Sequence, residues 1–227
     1  MHIGLVGGIG VAATVVYYQR LAAKAAAMGT VLRLTFSHGD VQTLIRNNLA
    51  DLRQPQAEVF AQQIAELKGA GAEVAALTSL GGHFCFDELA AISPLPLVSG
   101  VAPLDGYFAS EGIGRIGLLG TRVVMKTRFY GQLSRTEAVA LDDDLDVIGQ
   151  TYQDIAVAGT CTPDQRRFFM EAGRRMVEQM GAEAVVHAGT DLNLAFDGQN
   201  PGYPVIDALD VHVDLLARIA AGEVDSV

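Results

Sequence analysis

Gly4-Leu5-Val6-Gly7-Gly8-Ile9-Gly10 opens the chain, and Gly117-Leu118-Leu119-Gly120-Thr121 repeats its first half near the middle. Each is a short apolar run closed by glycine, the pattern of a buried strand whose end must turn sharply. At the same offset Tyr17 answers Tyr130 and Gln19 answers Gln132; further on, Gly71-Ala72-Glu73 answers Gly181-Ala182-Glu183, again just ahead of an apolar run. Ordered matches of this kind indicate duplication of one βα unit.

Working outward, the strand signals are Ile3–Val6, Val31–Phe36, Val74–Leu77, Leu97–Ser99, Ile116–Leu119, Ala184–His187 and Pro204–Ile206. Helical periodicity lies between them at Val11–Ala27, Gln56–Gly69, Lys126–Leu133, Pro163–Met180 and Asp207–Ala221. Strand and helix in alternation means parallel sheets covered on both faces. The expectation is an α/β protein of two similar lobes related by a pseudo-twofold, each a parallel sheet flanked by helices. The first spans residues 1–98 and the second 99–206, and the C-terminal helix, 207–227, can pack on either, the first included. Ligands bind beyond the carboxyl ends of parallel strands, so a cleft for a small molecule is expected where the two sets of strand ends face one another.

Composition excludes several classes. Of 227 residues half are apolar and the formal net charge is −10, the wrong sign for nucleic acid or an anionic membrane surface. No run approaches the roughly 18 to 20 apolar residues that span a bilayer. Met1–Val6 reads as a strand and not as a leader, so a cytoplasmic location is expected. Cys85 and Cys161 stand alone, without disulfide or zinc-ribbon spacing. The glycine segment lacks the third glycine and the distal acid of a dinucleotide fingerprint, since Phe36 and Ser37 end the second strand.

The residues just after the strands then matter most: Gly7 to Gly10, His38, Asp40, Thr78 to His83, Ser99, Gly120-Thr121, Ala188 to Asp191, and Asp207 with His212. The internal repeat makes Ser79 and Gly189 equivalent. Taken with Ala13-Thr14, Tyr17-Tyr18, Thr121-Arg122, Phe129-Tyr130 and the closing Pro204-Val205-Ile206-Asp207, these segments resemble the aspartate/glutamate racemase superfamily in register over nearly the whole chain. That resemblance implies a cofactor-independent enzyme acting at the carbon next to a carboxylate, a small-carboxylate substrate, and a homodimer. It also implies a cysteine on each side of the substrate, in motifs that align with Ser79-Leu80-Gly81 and with Ala188-Gly189-Thr190-Asp191. Neither cysteine is present. The basic residues that grip a distal carboxylate in aspartate racemases are not evident either, Val41 and Val157 falling near their places.

Two-base racemisation needs a thiolate and a thiol, both accessible because thiols titrate near pH 8.5. A serine hydroxyl is far too weak an acid to stand in unaided, and glycine has nothing to offer. Four of the five histidines and three aspartates lie at or near strand ends, so the candidate catalytic residues are Ser79, Asp191, His83 and His212. Gly8, Gly10, His38, Thr121, Thr190 and Gly189 are the candidate substrate contacts, with space at Gly189 for a bulkier substituent. Ser79 polarised by a histidine is one arrangement; a metal held by two or three histidines and an aspartate is another. Thr190 and Asp191 also read as a helix N-cap pair, His83 as a residue in the first turn of the following helix, and His187 as a hydrogen-bonded core histidine. No cofactor is expected. Isomerase or lyase chemistry without cysteine leads; a silent carboxylate-binding protein and a metal-dependent hydrolase are the alternatives.

Overall fold

The computed structural model describes residues 1–8 and 10–224; Ile9 of the glycine segment and the last residues counted in the C-terminal helix, 225–227, lie outside them. The chain forms two compact units, Met1–Gly100 with His212–Val227 and Val101–Val211.

In the first unit β1 (His2–Gly7) leads to α1 (Val11–Ala27), β2 (Arg33–His38), α2 (Val41–Leu49), α3 (Arg53–Gly69), β3 (Val74–Leu77), α4 (Phe86–Ile92) and β4 (Leu97–Val98). The four strands are parallel in the order β2-β1-β3-β4. The second unit runs α5 (Leu104–Ser110), β5 (Arg115–Gly120), α6 (Arg122–Thr127), β6 (Glu137–Val139), α7 (Leu145–Ala158), α8 (Pro163–Met180), β7 (Ala184–Ala188), α9 (Asn193–Phe196) and β8 (Val205–Asp207), and its sheet has the same order, β6-β5-β7-β8. α10 (Ala208–Ala221) carries the chain back to the first unit. The central strands β1, β3 and β7 are buried throughout, as their largely apolar sequences require when helices cover both faces, His2 and His187 being the polar exceptions, while edge strands such as β2 are half-exposed.

The repeated Gly-Ala-Glu has a repeated job. The Glu73 carboxylate accepts the His2 N–H at 2.5 Å, and Glu183 accepts the N–H groups of Gly114 and Arg115 at 2.6 and 2.9 Å. The Glu73 N–H donates to the His2 carbonyl, and the Glu183 N–H to that of Arg115. Each glutamate therefore clamps the start of one central strand to the start of the other. Gly4 and Gly117 are likewise equivalent in use: a Cβ on either would stand 3.0 Å from Leu67 of α3 or from Met176 of α8.

One expectation fails in the second unit, and one strand there was not foreseen. The helix expected over Lys126–Leu133 is displaced: α6 ends at Thr127, and Arg128, Phe129 and Tyr130 take left-handed φ of 52°, 56° and 59°. There the Thr127 hydroxyl accepts the Tyr130 N–H, Arg128 bonds Asp142, and the Phe129 ring is fully buried, so tertiary contacts override helical periodicity. The edge strand β6 escapes the sequence pattern because it is three residues long with an exposed glutamate at its start.

Candidate functional site

In both sheets the strand order reverses direction of growth between the two central strands, β1 and β3 or β5 and β7, and their carboxyl ends are where such folds bind ligands. The registers settle the equivalence. Gly4 pairs Ala75 and Val6 pairs Leu77, while Gly117 pairs Val185 and Leu119 pairs His187, which sets Ser79 and Gly189 at corresponding places two residues further on.

At the first sheet, the segment after β1 is bound tightly by its own side chains. The Gly8 N–H donates to Thr14 Oγ1 at 2.9 Å, and the Thr14 hydroxyl in turn donates to the Gly10 carbonyl at 3.0 Å and lies 3.2 Å from Thr78 Oγ1. The Gly8 amide is thus already used. Gly8 has φ +78°, and a Cβ there would fall 2.3 Å from the exposed imidazole of His38. After β3, Ser79 is buried and its Oγ accepts the Gly82 N–H at 3.3 Å, just ahead of and into the tight turn Gly81–Cys85.

His83 does not polarise that hydroxyl. Its Nε2 accepts the Gly100 N–H at 3.0 Å, which leaves Nδ1 as the protonated nitrogen, donating to the Ser79 carbonyl at 2.9 Å. The ring stacks on Phe86 and burial pushes its pKa down to about 4, against the opposing effect of the Ser79 carbonyl. His212, fully buried on α10, lies with Nδ1 2.8 Å from the Tyr17 hydroxyl and packs against Gly100. Burial and then the neighbouring His83 drive its pKa down to about 3, the Val98 backbone opposing. Both imidazoles are neutral at neutral pH, and His83 has both nitrogens engaged.

At the second sheet, Gly120 is fixed by contact: a Cβ there would stand 2.3 Å from the Ala188 carbonyl group. The Thr121 hydroxyl oxygen accepts the Val124 N–H and caps α6. The space foreseen at Gly189 is not open. A Cβ on Gly189 would lie 2.4 and 2.6 Å from Cε2 and Cζ of Tyr152, a buried residue of α7 that the sequence reading passed over. The Tyr152 hydroxyl donates to Asp191 Oδ2 at 3.1 Å and sits 3.5 Å from the Asp191 N–H; the Thr190 hydroxyl bonds it as well. Burial and then the Asp191 charge raise the phenol well above its ordinary pKa, so it stays protonated. Thr190 and Asp191, almost wholly buried, lie in the tight turn Thr190–Leu192 and cap no helix.

Elsewhere the expected constellation disperses into structural roles. Asp40 caps α2 through the N–H groups of Gln42 and Thr43, Asp207 accepts the Leu209 N–H, and His187 packs on Phe196 with ring centroids 4.3 Å apart. Among the described residues no group of three His, Cys, Asp or Glu stands where it could hold a metal ion, so the metal arrangement has no ligand set. Burial pushes the Cys85 thiol up to about 12, and Cys161 is also raised, not lowered. No described helix is long and apolar enough to cross a membrane.

A family model described as Asp/Glu/Hydantoin racemase matches residues 6–216. The chain belongs to that family. Among solved structures, a candidate Asp/Glu racemase from Yersinia pestis is 25% identical with a TM-score of 0.80, over 97% of this chain and 100% of that one. An aspartate racemase homologue from Pyrococcus horikoshii is 21% identical with a TM-score of 0.77, over 97% and 99%. The aspartate racemase of Picrophilus torridus is 17% identical with a TM-score of 0.76, over 97% and 95%; at these identities the last two show the fold. This member of the racemase family carries serine and glycine where the resemblance calls for cysteine.

Proposed function

We propose that this racemase-family protein binds a small acid through its carboxylate and acts at the adjacent carbon without cofactor, using a carboxylate base in place of a thiol pair. The observation that carries this reading is Asp191, held beside position 189 by the Tyr152 hydroxyl. Elimination among the candidate bases supports it. Among the described residues no basic nitrogen bonds the Ser79 hydroxyl, His83 has spent its lone pair on Gly100, and burial against Tyr17 lowers the pKa of His212 to about 3, which makes it a weak base. Thr121, in the same unit as Asp191, accepts a backbone N–H, which leaves its hydroxyl proton to donate to a carboxylate.

Magnitudes narrow the chemistry. In model peptides a carboxyl group titrates some four to five units below a thiol, so carboxylates as a class have roughly 6 kcal/mol less driving force than thiolates for taking a proton from carbon. Such a base fails on a simple amino acid. It suffices where the carbon carries a second electron-withdrawing group, or where the bond broken is to carbon or to a leaving group. Isomerisation, decarboxylation or elimination on a doubly activated small acid is therefore the class proposed.

The test is NMR of the purified protein in D₂O with amino, hydroxy, keto and dicarboxylic acids. Exchange or turnover of at least one acid is expected, with at least a hundredfold loss in Asp191→Asn. No exchange, turnover or epimerisation with any acid sinks the enzymatic reading. The buried histidines of lowered pKa favour one alternative, a silent carboxylate-binding protein, which would instead show ligand-dependent thermal stabilisation that Ser79→Ala weakens.

A further inference from the structure

Gly189 and Tyr152 constitute a single structural device. We propose that Tyr152 is the positioning residue of this site: its ring takes the room that a side chain at 189 would need, and its hydroxyl fixes the Asp191 carboxylate. The first half stands on geometry alone; the second rests on the reading of Asp191 as the base.

The ring cannot simply swing aside. Its hydroxyl is tied to Asp191 and Thr190, and Gly189 is confined on another side by the Gly120 Cα, which would lie 3.0 Å from an added Cβ. Gly120 cannot yield, because it is itself pressed against the Ala188 backbone. Releasing the ring leaves a buried carboxylate short of a donor, a larger loss than the net contribution of the bond. The corresponding residue of the first sheet, Ser79, keeps its side chain, so the loss of a side chain at 189 is a property of this unit and not of the fold. What remains beside position 189 is one carboxylate in one orientation, with a neutral phenol donating to it.

Two double-mutant cycles read by thermal unfolding at pH 7 test this without any substrate. Gly189→Cys should lower the unfolding midpoint by roughly 5 to 10 °C. Adding Tyr152→Ala should recover part of that loss and expose the introduced sulfhydryl to a thiol reagent in a Cys161→Ser background. If Gly189→Cys unfolds at the wild-type temperature, or if Tyr152→Ala only adds its own loss, the shared space is disproved. Tyr152→Phe keeps the ring and folds, so it isolates the hydroxyl. It should lower the midpoint in the wild type and much less in Asp191→Asn; equal losses in both backgrounds overturn the link to Asp191. With an active acid in hand, Tyr152→Phe should lower kcat about tenfold with KM little changed, and an unchanged kcat refutes the positioning role. Absence of activity in the wild type would count against the enzymatic reading while both unfolding cycles still decide this one.

Discussion

The two units share a frame and differ where each sheet ends. Strand order, strand register and the glutamate clamp recur, Glu73 in one and Glu183 in the other. Past the carboxyl ends they diverge. In the first unit α1 runs seventeen residues and its Thr14 ties down the glycine segment; in the second α6 runs six and stops at a left-handed turn. The first sheet ends on buried neutral imidazoles, the second on a phenol bonded to a carboxylate. Interior strands have buried partners on every side, so their sequence changes little under duplication, while a residue after the strand touches fewer elements and can be replaced together with its neighbour.

The sharpest way to break this equivalence is at Gly7 and Gly120, which occupy the same place in the two sheets. Gly120→Ala should cost more than about 4 kcal/mol and leave little folded protein, because the obstacle at 2.3 Å is the Ala188 backbone. Gly7→Ala meets the Thr14 methyl at 2.5 Å, a side chain that can yield by giving up its bonds to Gly8 and Gly10 where backbone cannot, and should cost about 1 to 3 kcal/mol. Denaturant titration of the two variants separates the cases; equal losses would erase the distinction.

Acid should loosen the first unit next. In the folded chain His83 and His212 stay neutral until about pH 4 and about 3, whereas unfolded histidines take up protons near 6.5. The unfolded state then binds more protons below pH 6.5, so stability is whole above that value and declines as pH falls toward 4 and 3, by roughly 3 kcal/mol for His83 and roughly 5 kcal/mol for His212 at the limit. Thermal midpoints measured from pH 7 to pH 4 should fall accordingly, and a His83→Gln variant should show a shallower decline. A flat profile would mean that the rings are not buried as described.

The smallest contrast lies in the helices that lead into the clamps. α8 begins with a capping box in which Thr162 accepts the Gln165 N–H and the Gln165 side chain accepts the Thr162 N–H, whereas α3 begins at Leu52 with no side-chain cap. Thr162→Ala should cost about 1 kcal/mol, and Leu52→Asp should add a few tenths or more. Urea midpoints check both.

Much of the frame was legible because duplication and buried parallel strands both leave continuous apolar runs closed by glycine. The equivalence of Ser79 and Gly189 came from that frame. The contents of the site were harder to read. Tyr152 lies in another helix, and the signal pointing to it was only the lack of a side chain at 189, which can mean empty room or room already taken. His83 lay close enough to Ser79 to suggest activation of the hydroxyl, yet sequence cannot show that the ring would choose the carbonyl of the same residue and the amide of Gly100. Asp40 and Asp207 illustrate the same ambiguity, since an aspartate after a strand is also an aspartate before a helix.

The first unit is interrupted: it consists of residues up to Gly100 and resumes only at His212. α10 supplies the His212 ring that meets Tyr17 and the Asp214 carboxylate that pairs with Lys24, both on α1. A ribosome releases the chain from its amino end, and uninterrupted domains close in that order. Here the order inverts. The second unit has all of its residues once Val211 is out, while the first, begun earlier, keeps one flank of α1 uncovered until the final helix emerges. A nascent chain halted before His212 would therefore carry a finished second half and an unfinished first.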